Sequence, residues 1–423
     1  MLIVHLRIND ASMGKPTPVR LRISDGAGRV YPPLGRFARF PTGIGEAVGS
    51  GTLVDGEAWW PIDGSCEIPL PAGVPLRVRA TKGLEFTPLD ETVTLGPGQM
   101  ALRFAIQRLI DLHGQGWRSG DSRCHFLSPH DALLEAAVED LDVVNLLIAE
   151  QQVAGGGKPY RVAANIAAFS GQAPALEAHG RSVAVNTLNA HPTLGKLGLL
   201  YSHRPVYPLT FGGDEPDDWS LCDWCDQCHR KGGLTVWVDA FRNAEFHGEA
   251  IVAAVLGKID AIEITEHSPE QLEGIFRLWN AGFPIPLIGG SGKASNATVL
   301  GAMRTYARVA EEPYTYKAWI EAVRSGRAFV TNGPLVPGEW ERIAGNGWSA
   351  ARFIDAKGAF AHASPVVREE KSPPSPEDTA PLVRAVQATL NWIETAGRFE
   401  QARRKQALLD RCREALVRLG AVP

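Results

Sequence analysis

The chain is 423 residues long, 44% hydrophobic and 21% charged, with a formal net charge of −4. That length predicts two or three domains. No concentrated basic run is present, which argues against binding nucleic acid through its phosphates. No apolar run reaches the roughly 18 residues a membrane span needs. The start, MLIVHLRIND, alternates like a strand and lacks the basic region, apolar stretch and cleavage site of an export signal. The expectation is a cytoplasmic protein.

Residues 1–110 read as β. Runs such as VRLRISDGAGRVY, SCEIPLPAGVPLRVRATKG and DETVTLGPGQMALRFAI alternate and are broken by Gly and Pro turns, which predicts a small β-sandwich. The stretch GSCEIPLPAGVPLRVRATKG resembles the carboxypeptidase-regulatory-like sandwich modules found ahead of many hydrolases. From 111 to 335, strand-like segments alternate with helix signals. The strands are DVVNLLIA (142–149), SVAVNTLN (182–189), LTVWVDA (234–240), AIEIT (261–265) and PIPLIGGS (284–291). Ser128-Pro129 and Ser268-Pro269 each supply an N-cap serine and a proline at the first helical position. This alternation predicts a mainly parallel sheet with crossover helices, either open or closed into a barrel.

Residues 336–423 read as a β segment, a proline-rich connector (KSPPSPEDTAP) and a helical pair. Leu382, Val386, Leu390 and Ile393 line one helix face, and Leu408, Cys412, Ala415 and Leu419 line the other. Six cysteines are few for a disulfide framework. Cys222, Cys225 and Cys228, followed by His229, have the spacing of a metal knuckle. Yet acidic residues precede them and basic residues and Gly232-Gly233 follow, as in a helix. Positions i, i+3 and i+6 then share one face, so these thiols are expected to pack against a sheet.

In strand–helix folds the chemistry sits where strands end. The strand ends here carry Asp121, Arg123 and His125; Glu150; Asn189 and His191; His203; Asp239; Glu263, Glu266 and His267; and Ser291 with Lys293. Imidazoles and carboxylates converging from several strands suit a divalent ion or proton transfer. Single polar residues at such positions also serve as caps and loop anchors, and Ser128 and Ser268 need do no more. GGSGK around Lys293 lacks the spacing of a phosphate loop.

The succession GDSRCHFLSPHDALLEAAVEDLDVVNLL, NTLNAHPTLGKLGLLYSHRPV, GGLTVWVDAF, GKIDAIEI, GFPIPLIGGSGKASNATVLGAMRTY and WIEAVRSGRAFVTNGPL resembles the PHP superfamily, and within it the carbaryl-hydrolase-like CehA/McbA branch. The resemblance covers roughly 115–335. It implies a distorted (β/α)7 barrel holding two or three ions, often zinc or manganese, that activate water against an ester-type bond. The chain departs from that pattern. Arg123 stands where the first His of His-x-His belongs, and Ala149-Glu150-Gln151 replaces Thr-Asp-His. Asp239 replaces a histidine, and Gly292 replaces the aspartate of Gly-Ser-Asp.

Arginine offers no lone pair to a metal, so the expectation falls to one ion held by His125, Glu150, His191, His203 and Asp239. Asp121, Arg123 and Lys293 form the expected catalytic set, with the two cations orienting substrate or stabilising developing negative charge. Arg123 pairing with Asp121, or facing outward, is the structural alternative. The expected activity is hydrolysis of an ester, amide or phosphoester in a small or saccharide-like molecule. The other reading is a non-catalytic ligand-binding protein that keeps the barrel without metal. No nucleic-acid or membrane partner is expected.

Overall fold

The computed structural model describes residues 1–40, 42, 51–153, 160–242, 248–335 and 339–421. The chain forms two compact units. The first comprises Met1–Leu146, Ala175–Val183 and Ser291–Ala302, and the second Leu147–Pro174, Ala184–Gly290 and Met303–Pro423. The division does not fall at residue 110, because the β region packs with residues 111–146 in the same unit.

In the first unit, β1 (Leu2–Asp10), β2 (Val19–Asp25), β3 (Thr52–Val54), β4 (Glu57–Ile62), β5 (Ser65–Leu70), β6 (Pro75–Thr81), β7 (Leu89–Thr94) and β8 (Ala101–Ile106) make two sheets. Their orders are β5-β1-β8 and β3-β4-β2-β6-β7. Alternation decides the buried face. In β1, Val4, Leu6 and Ile8 are fully buried, while residues between them are more exposed. They join Leu21, Ile23, Ile68, Val78 and Phe104 in one apolar cluster. Each such side chain contributes about 1.5–3 kcal/mol by leaving water. Next come β9 (Trp117–Cys124), α1 (Pro129–Val138) and β10 (Val143–Ile148), with β9 and β10 parallel. The α1 cap is the one its Ser-Pro start foretells, with Ser128 accepting from Asp131 N at 3.1 Å.

The second unit begins with the hairpin β11 (Glu150–Val153) and β12 (Tyr160–Ala163). After β13 (Leu176–Ala178) in the first unit come β14 (Arg181–His191), β15 (Gly195–Leu200), α2 (Leu221–Arg230), β16 (Leu234–Val238), α3 (Ala250–Val255), β17 (Ala261–Ile264), α4 (Pro269–Asn280) and β18 (Leu287–Gly289). The expectation of a mainly parallel sheet is met in part. β15 runs antiparallel to both β14 and β16, whereas β9–β10 and β16–β17–β18 pair parallel. The short turn Pro192–Leu194 leaves no room for a crossover helix, so β14 and β15 form a hairpin. The result is a mixed α/β arrangement, and the strand pairing among the described residues closes no barrel.

The remaining elements are β19 (Arg304–Arg308), α5 (Tyr316–Arg324), β20 (Ala328–Thr331), β21 (Glu341–Gly345), β22 (Trp348–Ile354), β23 (Phe360–Ala363), β24 (Val366–Val367), α6 (Pro376–Thr395) and α7 (Ala402–Arg418). Leu382, Val386 and Ile393 of α6 and Leu408, Cys412 and Ala415 of α7 enter the same core as α2, α3 and α4. Cys222, Cys225 and Cys228 are free, fully buried thiols on the inner face of α2. Glu249, itself fully buried, accepts from Leu221 N and Cys222 N at the start of α2. A carboxylate there satisfies backbone donors and complements the helix dipole. None of the described helices is long and apolar enough to cross a membrane.

Candidate functional site

The expected residues fall into both units. In the first, Asp121, Arg123, His125 and Lys293 do come together, through a parallel bridge between Cys124 and Lys293. The polar side-chain atoms of Asp121 and Lys293 turn to the protein's own backbone. Asp121 is fully buried, with Oδ1 accepting from Arg123 N (2.9 Å) and Ser291 N (3.0 Å) and Oδ2 from Gly301 N (2.8 Å). Burial pushes its pKa up, against the opposing pull of these donors. Lys293 is 1% exposed and donates to Ser295 O (3.2 Å) and Thr298 O (2.7 Å), with Glu135 Oε2 at 3.5 Å.

Asp121 and Lys293 therefore pin the 291–302 segment. A substrate would have to displace bonds that hold a buried loop. His125 is buried, its backbone N–H bonded to Lys293 O at 2.8 Å. Arg123 is half-buried, and its carbonyl accepts from Gly292 N.

In the second unit, His191 is 2% exposed. Its Nδ1 accepts from Thr193 N (3.0 Å) and Leu194 N (2.8 Å), so the proton lies on Nε2, which donates to Asp217 Oδ1 at 2.8 Å. Burial lowers its pKa and keeps the ring neutral. Gly212, at φ 75°, lies against this pair, and a side chain there would collide with His191 and Asp217. Both ring nitrogens being engaged, no lone pair is left for a metal. His203 is exposed and bonds Lys231 O through Nδ1. Glu150 is bonded by Thr210 and lies 3.6 Å from Arg161. Asp239 takes Lys196 Nζ at 3.1 Å and Arg242 Nη1 at 3.3 Å.

Two of the expected residues, His191 and Asp239, do share a pocket of about 330 Å³ at the ends of β15 and β16. Lys196, Trp237, Phe241 and Arg242 complete it. Asp239 and Phe241 both adopt φ 56°. Left-handed backbone at non-glycine residues costs of order 1–3 kcal/mol each and concentrates at functional sites. Here it turns the chain at the strand end, with the Phe241 ring 4.8 Å from that of Trp237. Arg242 also bonds Thr265 Oγ1 (3.0 Å) and Glu266. Sequence reasoning missed Lys196, Trp237, Phe241 and Arg242. The available signal was their position immediately beside the chosen strand ends.

Among the described residues, the carboxylate–histidine group whose ligand atoms converge lies elsewhere in the first unit. Glu85, Asp111 and His113 each offer an atom, all within 4.8 Å of one another. Glu85 is 1% exposed, and its Oε2 accepts from Arg108 Nη1 (2.7 Å) and Leu112 N (3.0 Å). His113 Nε2 bonds Asp142 Oδ1 at 2.7 Å, while Nδ1 stands 3.9 Å from Glu85 Oε1, beyond hydrogen-bond reach. A carboxylate behind a histidine is the arrangement that orients metal ligands, and this mixed N/O set fits a divalent ion of the zinc or manganese kind. Burial lowers the His113 pKa, but the Asp142 and Glu85 carboxylates outweigh it and push it up to about 10, so an ion must displace a proton. The sequence signal was Asp-x-His in the connector after β8, away from every strand end considered.

No family model and no curated protein matches this chain. A solved structure similar to part of it is a lesion-specific endonuclease, PfuEndoQ from Pyrococcus furiosus. The identity is 12% and the TM-score 0.31, over 49% of this chain and 56% of that one. The match thus spans little more than half the length of that protein.

Proposed function

We propose that this chain is a ligand-binding α/β protein whose pocket at the ends of β15 and β16 takes a small, saccharide-like anion. The scaffold is read as a degenerate relative of the PHP superfamily, CehA/McbA branch, on its sequence resemblance. The observation that carries the reading is the Lys196–Asp239–Arg242 arrangement at the mouth of the pocket. Lys196 and Arg242 are 49% and 36% exposed in their side chains. Exposed pairs of this kind are worth about 0–1 kcal/mol, so an incoming carboxylate or phosphate can exchange for Asp239 at little cost. Arg242 offers a planar fork and Lys196 a point charge. His191 beside them is held neutral and serves as wall, not as acid or base.

Titration of glucuronate, glucose 6-phosphate and inorganic phosphate against wild type, Lys196→Ala and Arg242→Ala tests this. Each variant should weaken binding by about tenfold, roughly one lost charged hydrogen bond. Equal affinities in all three proteins refute it.

A second reading, hydrolysis by a metal-activated water, is favoured by one observation: the convergence of Glu85, Asp111 and His113. These residues would hold the ion, which supplies a water of lowered pKa when bound. Stoichiometric zinc or manganese in wild type, lost in His113→Gln together with ester or phosphoester turnover, would establish it over the first.

A further inference from the structure

The first unit contains a larger cavity, about 590 Å³, lined by α1, the loop after β1, and the turn Ala178–Arg181. Its size falls in the range that buries small organic ligands. One wall is apolar. Leu133, Leu134 and Ala137 of α1 lie at helical spacing and are only half-buried, while Ala132 and Ala136 on the inner face are fully covered. An apolar stripe left half open on a packed helix is a surface awaiting a cover. Phe86, 4% exposed, also lines the cavity.

The other end is charged. Asp140, 3% exposed, accepts from Arg108 Nη2 and Arg181 Nη2, both at 2.8 Å, and Lys82 Nζ stands 4.0 Å away. Arg108 is shared with Glu85, and Lys82 also donates to Pro18 O (3.1 Å) and Ala137 O (2.8 Å). Across the whole lining, four Lys and Arg side chains meet three Asp, and one of these, Asp10, is turned to Ser12 and Met13 of its own loop. Among the described residues, Arg181 Nε is buried without a hydrogen-bond partner, while Nη1 and Nη2 bond His179 O and Asp140 Oδ1. An acceptor that reached Nε would satisfy that donor. Burial, with Arg181 and Arg108 nearby, lowers the Lys82 pKa to about 8 against the pull of Asp140 and Glu139.

We propose that this cavity is a second binding site, for a small apolar monoanion of the arylcarboxylate class. The carboxylate would meet Arg181 at the charged end, and the ring would lie along Leu133, Leu134 and Ala137. One unmatched donor suits a single carboxylate better than a phosphate ester, and the apolar wall facing this end disfavours a hydrated sugar.

The test uses the full chain and 1-naphthoate as probe, with 1-naphthamide as its neutral counterpart, followed by calorimetry and ligand-observed NMR. Wild type should bind the carboxylate at least about tenfold more tightly than the amide, the scale of one charge-assisted hydrogen bond. Arg181→Gln should remove that preference. Because Arg181 also holds Asp140, its variant is checked for an intact melting transition. Leu134→Asp, which leaves the charge cluster untouched and repels the probe, should weaken binding by a similar factor. Equal affinity for acid and amide, or wild-type affinity in Leu134→Asp, would each overturn the proposal.

Discussion

His362 in β23 makes the fold sensitive to acid in a calculable way. The ring is fully buried, 5.6 Å from Phe276, 5.8 Å from Trp279 and 6.2 Å from Phe360. Its Nδ1 bonds the Ala363 carbonyl at 2.7 Å, and Nε2 has no hydrogen-bond partner among the described residues. Burial therefore lowers the pKa to about 4 from an ordinary 6.5, overriding the Ala363 bond. Between those values the unfolded chain takes up a proton that the folded one refuses, so stability is intact above about pH 6.5 and falls as pH drops toward 4. A tenfold difference in proton affinity corresponds to about 1.4 kcal/mol, so the loss is on the order of 3 kcal/mol.

His362→Phe keeps the aromatic packing and deletes the titration. At pH 7 the substitution should be nearly neutral, since it removes an unsatisfied nitrogen as well as the bond to Ala363. At pH 4 the variant should be more stable than wild type by about 3 kcal/mol. Urea unfolding of both proteins at pH 7, 5.5 and 4 measures this. Acid-sensitive carboxylates elsewhere, such as Asp140 with its pKa lowered to about 2, act in both proteins and cancel in the difference. A wild-type-to-variant gap that does not change with pH would refute the reasoning.

Asp121→Asn should destabilise the first unit by about 1–3 kcal/mol without altering ligand affinity at the strand-end pocket, because one amide oxygen cannot accept all three backbone N–H groups that the carboxylate serves. Chemical denaturation with a parallel glucuronate titration checks both halves. Cys225→Ala should cost about 1 kcal/mol and leave the metal content unchanged, as expected of a core thiol. Elemental analysis showing lost zinc or iron in that variant would make the cysteine row a ligand knuckle.

Local chemistry made much of this protein legible in its sequence. Ser128-Pro129 and Ser268-Pro269 start α1 and α4 because the cap hydroxyl and the proline act on their own next turn. Cys222, Cys225 and Cys228 share a buried face because helical spacing alone puts them there. Strand direction was not local: the Pro192–Leu194 turn makes β14 and β15 a hairpin where a parallel crossover was expected. The choice of ligands was less legible still. His191 reads as a metal ligand in one dimension, but the fold brings Asp217 to Nε2 and the backbone of Thr193 and Leu194 to Nδ1. Glu85 and His113, 28 positions apart in the sequence by their numbering, acquire a common focus only through packing. Residue type tells what a side chain can bond; which atoms reach it is settled by contacts distant in sequence, and those belong to the tertiary structure.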